Sequence, residues 1–177
     1  MKVLTGLFAV LLFATSCSPR LSDYTTRLQN TNSWSEDDLR QIQFYLSSPV
    51  VLKKQIKEGS SEIINGKIKM ENGRQIEEIV IPKGTPGIFL FSPKSERYAV
   101  SFEGNGEDKF LMFGPNPKAG NRFVLLASDW ERRRGKVTYS GKTYYVDSSS
   151  AYAGLQVDLR RIRKTKVSSR VAKGRKI

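Results

Sequence analysis

From residue 50 onward, turn-forming clusters cut the chain into short runs of β-branched and aromatic side chains, and this rhythm constrains the fold more than any other feature. The runs predicted as strands are Val50 to Lys57, Glu78 to Ile81, Gly87 to Phe91, Arg97 to Glu103, Lys109 to Phe113, Arg122 to Ala127, Lys136 to Tyr139, Thr143 to Val146 and Ala151 to Ile162. Between them lie Gly59-Ser60-Ser61, Lys83-Gly84-Thr85-Pro86, Pro93-Lys94-Ser95, Gly104-Asn105-Gly106, Gly114-Pro115-Asn116-Pro117 and Ser140-Gly141-Lys142. Glycine and asparagine tolerate the positive φ of tight turns, and proline presets the turn backbone. Strands at this spacing, without alternating helices, predict a mainly β domain, an antiparallel barrel or sandwich. A length of 177 residues with 38% apolar side chains suits one core and excludes two large domains.

Two Asn-Gly pairs carry the local register. A two-residue loop at Asn65-Gly66 would set Ile63 against Ile68 and Glu62 against Lys69, apolar on one face and opposite charges on the other. At Asn72-Gly73 a two-residue loop would set Met70 against Gln75. A three-residue, bulged loop would instead set Met70 against Ile76 and Lys69 against Glu77, so a bulge is expected there.

One helix is expected ahead of the strands. Ser35 is a cap, Glu36, Asp37 and Asp38 complement the helix dipole, and Trp34 with Leu39 fits a hydrophobic staple. Leu39, Ile42, Phe44, Tyr45 and Leu46 supply an apolar face and Pro49 follows, giving a short amphipathic helix over residues 36–47. The preceding stretch is polar and without sustained period, and reads as a tether over residues 17–33.

The N-terminus has its own grammar. Met1-Lys2 is positive, and Val3 to Phe13 is apolar apart from Thr5 and Gly6. At ~1.5 Å per residue this run covers about half of a ~30 Å hydrocarbon core, too little for a spanning helix. Small residues follow, then the chain's single cysteine, Cys17, and a secretory signal over residues 1–16 accounts for all of these together. The stretch Phe13-Ala14-Thr15-Ser16-Cys17 resembles the lipobox of bacterial lipoproteins, with Ala14 where leucine is usual. The resemblance implies that Cys17 is acylated and becomes the mature N-terminus. Several acyl chains, unlike one, anchor stably at ~0.8 kcal/mol per buried CH₂. In that family an aspartate after the cysteine is associated with inner-membrane retention in some Gram-negative bacteria. Ser18 stands here, which implies the outer membrane, and the absence of acids from Ser18 to Ser22 implies its periplasmic face.

Charge is concentrated at the opposite end. Arg160, Arg161, Arg163, Lys164, Lys166, Arg170, Lys173, Arg175 and Lys176 occur with no acid among them, so nine of the thirteen net positive charges lie in residues 160–177. The rest of the chain, 21 cations against 17 acids, is only mildly basic. Such a run cannot bury itself and is expected as a basic arm held by an anionic partner, leaving residues 34–159 as the single mainly β domain.

The residue inventory excludes much chemistry. With no histidine and one cysteine, Ser-His and Cys-His catalysis, His-based zinc sites and intrachain disulfides are ruled out, and no cofactor or metal is expected. The nearest Ser-Lys pairing is Lys142 with Ser148, Ser149 or Ser150, across a predicted strand. Paired carboxylates could come from Glu103, Glu107, Asp108, Asp129 and Glu131. The glycine-rich run Gly104 to Lys109 joins two strand patterns and opens no helix, so it reads as a turn and not a phosphate loop. Trp130, Arg132, Arg133, Arg134, Tyr139, Tyr144 and Tyr145 interleave cations with aromatics, a pattern suited to sugars or phosphorylated glycolipids.

The expectation is therefore a non-enzymatic, lipid-anchored envelope protein that meets an anionic partner: peptidoglycan carboxylates, lipopolysaccharide phosphates or an acidic protein complex. Nucleic acid would match the charge but not the compartment. The alternative is a cell-wall hydrolase or transferase using the carboxylates or the Ser-Lys pair. A third reading is an accessory that docks on a membrane machine.

Overall fold

The computed structural model describes residues 20–56, 66–104, 108–131 and 134–165, with backbone alone at residues 131 and 163–165. The elements are β1 (Leu21–Asp23), α1 (Thr26–Asn32), α2 (Glu36–Arg40), β2 (Gln43–Leu46), β3 (Val50–Gln55), β4 (Lys67–Glu71), β5 (Arg74–Ile81), β6 (Pro86–Lys94), β7 (Arg97–Ser101), β8 (Phe110–Asn116), β9 (Arg122–Leu125), β10 (Ser128–Glu131), β11 (Arg134–Tyr139), β12 (Lys142–Asp147), β13 (Leu155–Asp158) and α3 (Leu159–Thr165). They form two antiparallel sheets, one in the order β1-β13-β2-β6-β7-β8-β9 and the other β10-β11-β12-β3-β5-β4.

Strand alternation sends one face of each sheet inward. Phe44, Leu46, Phe89, Val100, Leu111, Phe113 and Phe123 from the first sheet join Leu52, Ile81, Val137, Tyr139, Tyr144 and Val146 from the second in one buried cluster. The seven-stranded sheet curls until β9 reaches back through isolated bridges, Thr25 to Arg122 and Val124 to Gly154. Neither sheet closes into a barrel, so the arrangement is sandwich-like. Where the curled ends meet, the fully buried Tyr24 ring packs 4.9 Å from Phe123, 5.2 Å from Phe44 and 5.9 Å from Trp34. Burial pushes its hydroxyl far above the ordinary phenol range, so it stays protonated.

Four expectations are corrected by these contacts. The helix over 36–47 stops at Arg40, capped by Ser35 with the reciprocal Asp38 bond, and residues 43–46 are a strand. Ile42, Phe44 and Leu46 are buried at every second position, and β2 lies between β13 and β6, where ladder bonds on both sides outweigh one further helical turn. Within the expected tether, residues 20–33 belong to the body: β1 pairs with β13, Thr25 caps α1 through the Leu28 N–H, and Tyr24 enters the core. Asn72-Gly73 makes a two-residue loop without a bulge, with Glu71 facing Arg74 and Met70 facing Gln75. Both loop residues have positive φ, 52° and 76°, the backbone of a type I′ turn whose twist matches the strands. Finally, Ala151 to Ile162 is not one strand, because only Leu155–Asp158 is extended and α3 follows with Asp158 accepting from the Arg160 N–H.

The Asn65-Gly66 hairpin lies partly outside the described residues. So do the Gly59-Ser60-Ser61 turn and the middle of the Gly104 to Lys109 run. The described flanks of that run join antiparallel neighbours, Ser101 facing Phe110, and the next described element is the strand β8.

Candidate functional site

The solvent face of the six-stranded sheet gathers charged and aromatic side chains around one cavity. Alternation along β12 turns Tyr144 and Val146 inward and Tyr145 and Asp147 outward. Tyr145 faces Lys53 on β3 and Lys136 on β11, and Arg134 faces Asp147. The tight Asn72-Gly73 turn brings Glu71 and Arg74 to the same place from β4 and β5. Together Lys53, Glu71, Arg74, Arg134, Tyr145 and Asp147 line a cavity of about 150 Å³. Lys53 Nζ stands 3.4 Å from Glu71 and 3.7 Å from Asp147, so both acids are drawn to one ammonium. Among the described residues, Arg74 and Arg134 form no ion pair, and their guanidinium donors face the cavity uncommitted. The Tyr145 ring is 41% exposed beside them.

A second, wider groove of about 540 Å³ is walled by Trp130, Tyr152, Pro115, Pro117 and Lys118. Its tryptophan is placed by a bulge. From Ser128 to Glu131 β10 advances three residues while β11 advances two, from Lys136 to Arg134, and Asp129 takes a φ of 61° to absorb the extra residue. The indole then lies over Gly135, where a Cβ would stand 3.0 Å from the ring and 2.6 Å from the Ala127 Cβ.

The sequence candidates are therefore split. Trp130 lines the groove and Arg134 the smaller cavity, while Arg132 and Arg133 lie outside the described residues. Tyr139 and Tyr144, at 1% and 2% exposure, are core residues and offer no ligand-facing ring. Sequence reasoning missed Lys53 and Arg74, and it grouped Tyr145 with the interleaved cations and aromatics without separating it from the inward Tyr144. Strand alternation separates the two tyrosines, since the residue after an inward Tyr144 must point out, whereas Lys53 and Arg74 meet Tyr145 only through non-local pairing.

Among the basic residues of the arm, Arg160 and Arg161 are exposed on α3 with Nε atoms 3.5 and 4.0 Å from Asp158. Arg163 and Lys164 continue the same helix, and Lys166, Arg170, Lys173, Arg175 and Lys176 lie outside the described residues, as does Cys17.

The catalytic candidates are dispersed or engaged in holding the fold. Lys142 and Ser148 flank opposite ends of β12, six residues apart at ~3.3 Å each and so roughly 20 Å, which breaks the Ser-Lys pair. Ser150 is buried, its Oγ accepting from the Val51 N–H at 3.4 Å. Glu103 accepts from the Tyr139 hydroxyl at 2.6 Å and from Lys109 at 2.8 Å. Burial pulls the Glu103 carboxyl upward, but the bonds from Lys109 and Tyr139 outweigh it and hold the group below the usual carboxylate range. A carboxylate so held is a poor proton donor. Asp108 accepts from Ser140 Oγ at 2.9 Å and Asp129 from Lys136 at 3.1 Å, while Glu107 and the Glu131 side chain lie outside the described residues. Among the described residues, no three His, Cys, Asp or Glu side chains gather as a metal site, and no helix is long and apolar enough to cross a membrane. The sequence matches no known protein family, and no significant match to a curated protein or a solved structure accompanies it.

Proposed function

We propose that the chain is a non-enzymatic envelope lipoprotein, fastened by acylated Cys17 to the periplasmic face of the outer membrane, whose basic C-terminal arm meets the anionic layer at that surface. One observation carries this reading: β1 and β13 pair antiparallel, with Leu21 opposite Asp158. Paired Cα atoms stand about 5 Å apart, and the four residues from Cys17 to Leu21 span at most about 14 Å. The start of β1 and the start of the nine-cation run therefore share one end of the β1-β13 pair, with the proposed lipid attachment at Cys17 only four residues from it. An arm rooted there reaches phosphates of the membrane that holds the acyl chains before it reaches wall polymer farther away. Each cation near an anionic surface contributes about 1 kcal/mol, falling off within a Debye length of about 8 Å at physiological salt. The dispersal of the Ser-Lys pair and the low-lying Glu103 carboxyl favour binding over hydrolysis.

The test uses the chain from Ser18 onward, so that acyl chains do not mask the arm, and a second form ending at Thr165 that keeps α3 and loses five cations. Binding to vesicles containing anionic phospholipid should fall at least about tenfold on truncation at low salt, and the difference should vanish in high salt; preferential binding to lipopolysaccharide would instead place the arm at the outward leaflet. Equal binding of the two forms removes the arm from the mechanism, and preferential binding to purified peptidoglycan moves the partner to the wall. Mass spectrometry of the native product tests acylation of Cys17 separately.

A further inference from the structure

We infer that the cavity between β12, β3 and the β4-β5 turn is a binding site for an acidic sugar unit, one hydroxylated ring bearing a single carboxylate or phosphate group. The argument starts from what the cavity leaves unused. Lys53 is shared by Glu71 and Asp147, whereas Arg74 and Arg134, from two separate hairpins, line the same space without an ion-pair partner among the described residues. Guanidinium forks bind planar or tetrahedral oxyanions through paired N–H donors, so one anionic group between them completes the charge pattern.

The neighbours narrow the class. Glu71 and Asp147 would repel a second negative group, which disfavours polyanions, yet both are acceptors placed to receive donated hydroxyl hydrogens. The half-exposed ring of Tyr145 supplies an apolar wall for the face of a sugar and a hydroxyl at its rim. A volume of about 150 Å³ is small beside the roughly 300 Å³ at which sites for drug-sized ligands begin, so the site takes one ring and not an extended chain. The inference goes beyond the basic arm and stands whether or not Cys17 is acylated.

The experiment is an amide-resonance titration of the full mature chain at constant ionic strength with four probes: glucuronate, glucose 1-phosphate, glucose and inorganic phosphate. Expected is saturable movement of the Tyr145, Arg134 and Arg74 signals with glucuronate or glucose 1-phosphate, at least about tenfold tighter than with glucose or phosphate alone. Which charged sugar binds tighter assigns the anion as carboxylate or phosphate. Arg74→Gln and Arg134→Gln together should weaken that binding at least about tenfold with the melting temperature unchanged. Because both side chains are exposed, the double variant is expected to fold, and Tyr145→Leu provides a second variant that should weaken the sugar while leaving phosphate unaffected. Equal binding of glucose and glucuronate, equal binding of phosphate and the charged sugars, or full binding by the double variant each overturns the assignment.

Discussion

Replacing Tyr139 with phenylalanine removes one hydroxyl from the place where the two sheets are bonded through their loops. Tyr139 ends β11 in the six-stranded sheet, and its O–H donates to Glu103 just beyond β7 in the seven-stranded sheet, at 2.6 Å. A hydrogen bond to a charged acceptor is worth about 1.5–3 kcal/mol, and the Glu103 side chain is 38% exposed, so water can replace the lost donor. The lower end applies, about 1.5 kcal/mol, because the ring and its edge contact with Tyr144 survive and nothing buried is orphaned. At 2–4 °C per kcal/mol for a chain of this size, the variant should melt roughly 3–6 °C lower at pH 7 by calorimetry or circular dichroism.

The pH dependence supplies the sharper check. Glu103 is held below its ordinary value of 4.5, so it ionises more readily folded than unfolded. Its stabilising effect is complete above the unfolded value and is lost as pH falls through the folded one. Removing the Tyr139 bond brings the folded value back toward the unfolded one, so the variant should lose less stability than its parent between about pH 6 and pH 3. Glu103→Gln should flatten the same limb further, since it also releases Lys109. A Tyr139→Phe protein that melts within about 1 °C of the parent and keeps the parental acid limb would refute the reasoning.

Gly135→Ala should destabilise by about 1–3 kcal/mol, since the new methyl meets Ala127 at 2.6 Å and the Trp130 ring at 3.0 Å. Trp130 emission should shift with it, and unchanged stability with unchanged fluorescence would show that the indole does not rest on that glycine. Gly73→Ala, at a φ of 76°, should cost about 1 kcal/mol and raise hydrogen exchange in β4 and β5, whereas Asn72→Gly should be nearly neutral. Equal exchange in all three proteins would mean that the turn does not set the register.

What the sequence makes legible is the punctuation, and what it hides is non-local. Ser140-Gly141 is readable as a hairpin because only a positive φ closes it, and both residues adopt one, 50° and 67°. Residues 42–46 fit two periods at once: Leu39, Ile42 and Leu46 suit a helix face, while Ile42, Phe44 and Leu46 suit a strand face. The choice between them is made by β13 and β6, whose carbonyls and amides lie far away in sequence. The same separation hides the site. Arg134 is visible beside aromatics, but nothing local announces that Lys53 and Arg74 will stand next to it, and the strand parity that buries Tyr144 and exposes Tyr145 depends on where β12 starts.

The polar stretch ahead of Trp34 is where local reading has the largest functional consequence. Its only long apolar anchors are Leu21, Tyr24 and Leu28, too few to give a period, yet Tyr24 donates its N–H to Leu155 and its carbonyl accepts from Phe123, so it joins β13 to β9. A tether of seventeen residues would let the body roam tens of ångströms from the lipid, diluting any contact between arm and membrane. With the body beginning at Leu21 and Cys17 acylated as proposed, that freedom is lost and the effective concentration of the arm at the surface rises accordingly. Several acyl chains would already suffice for retention, so on the proposed reading the arm's added attraction would go into orientation. On that proposal the arm would hold the β1-β13 end of the domain toward the lipid, and this posture would decide which ligands the outward cavity can meet.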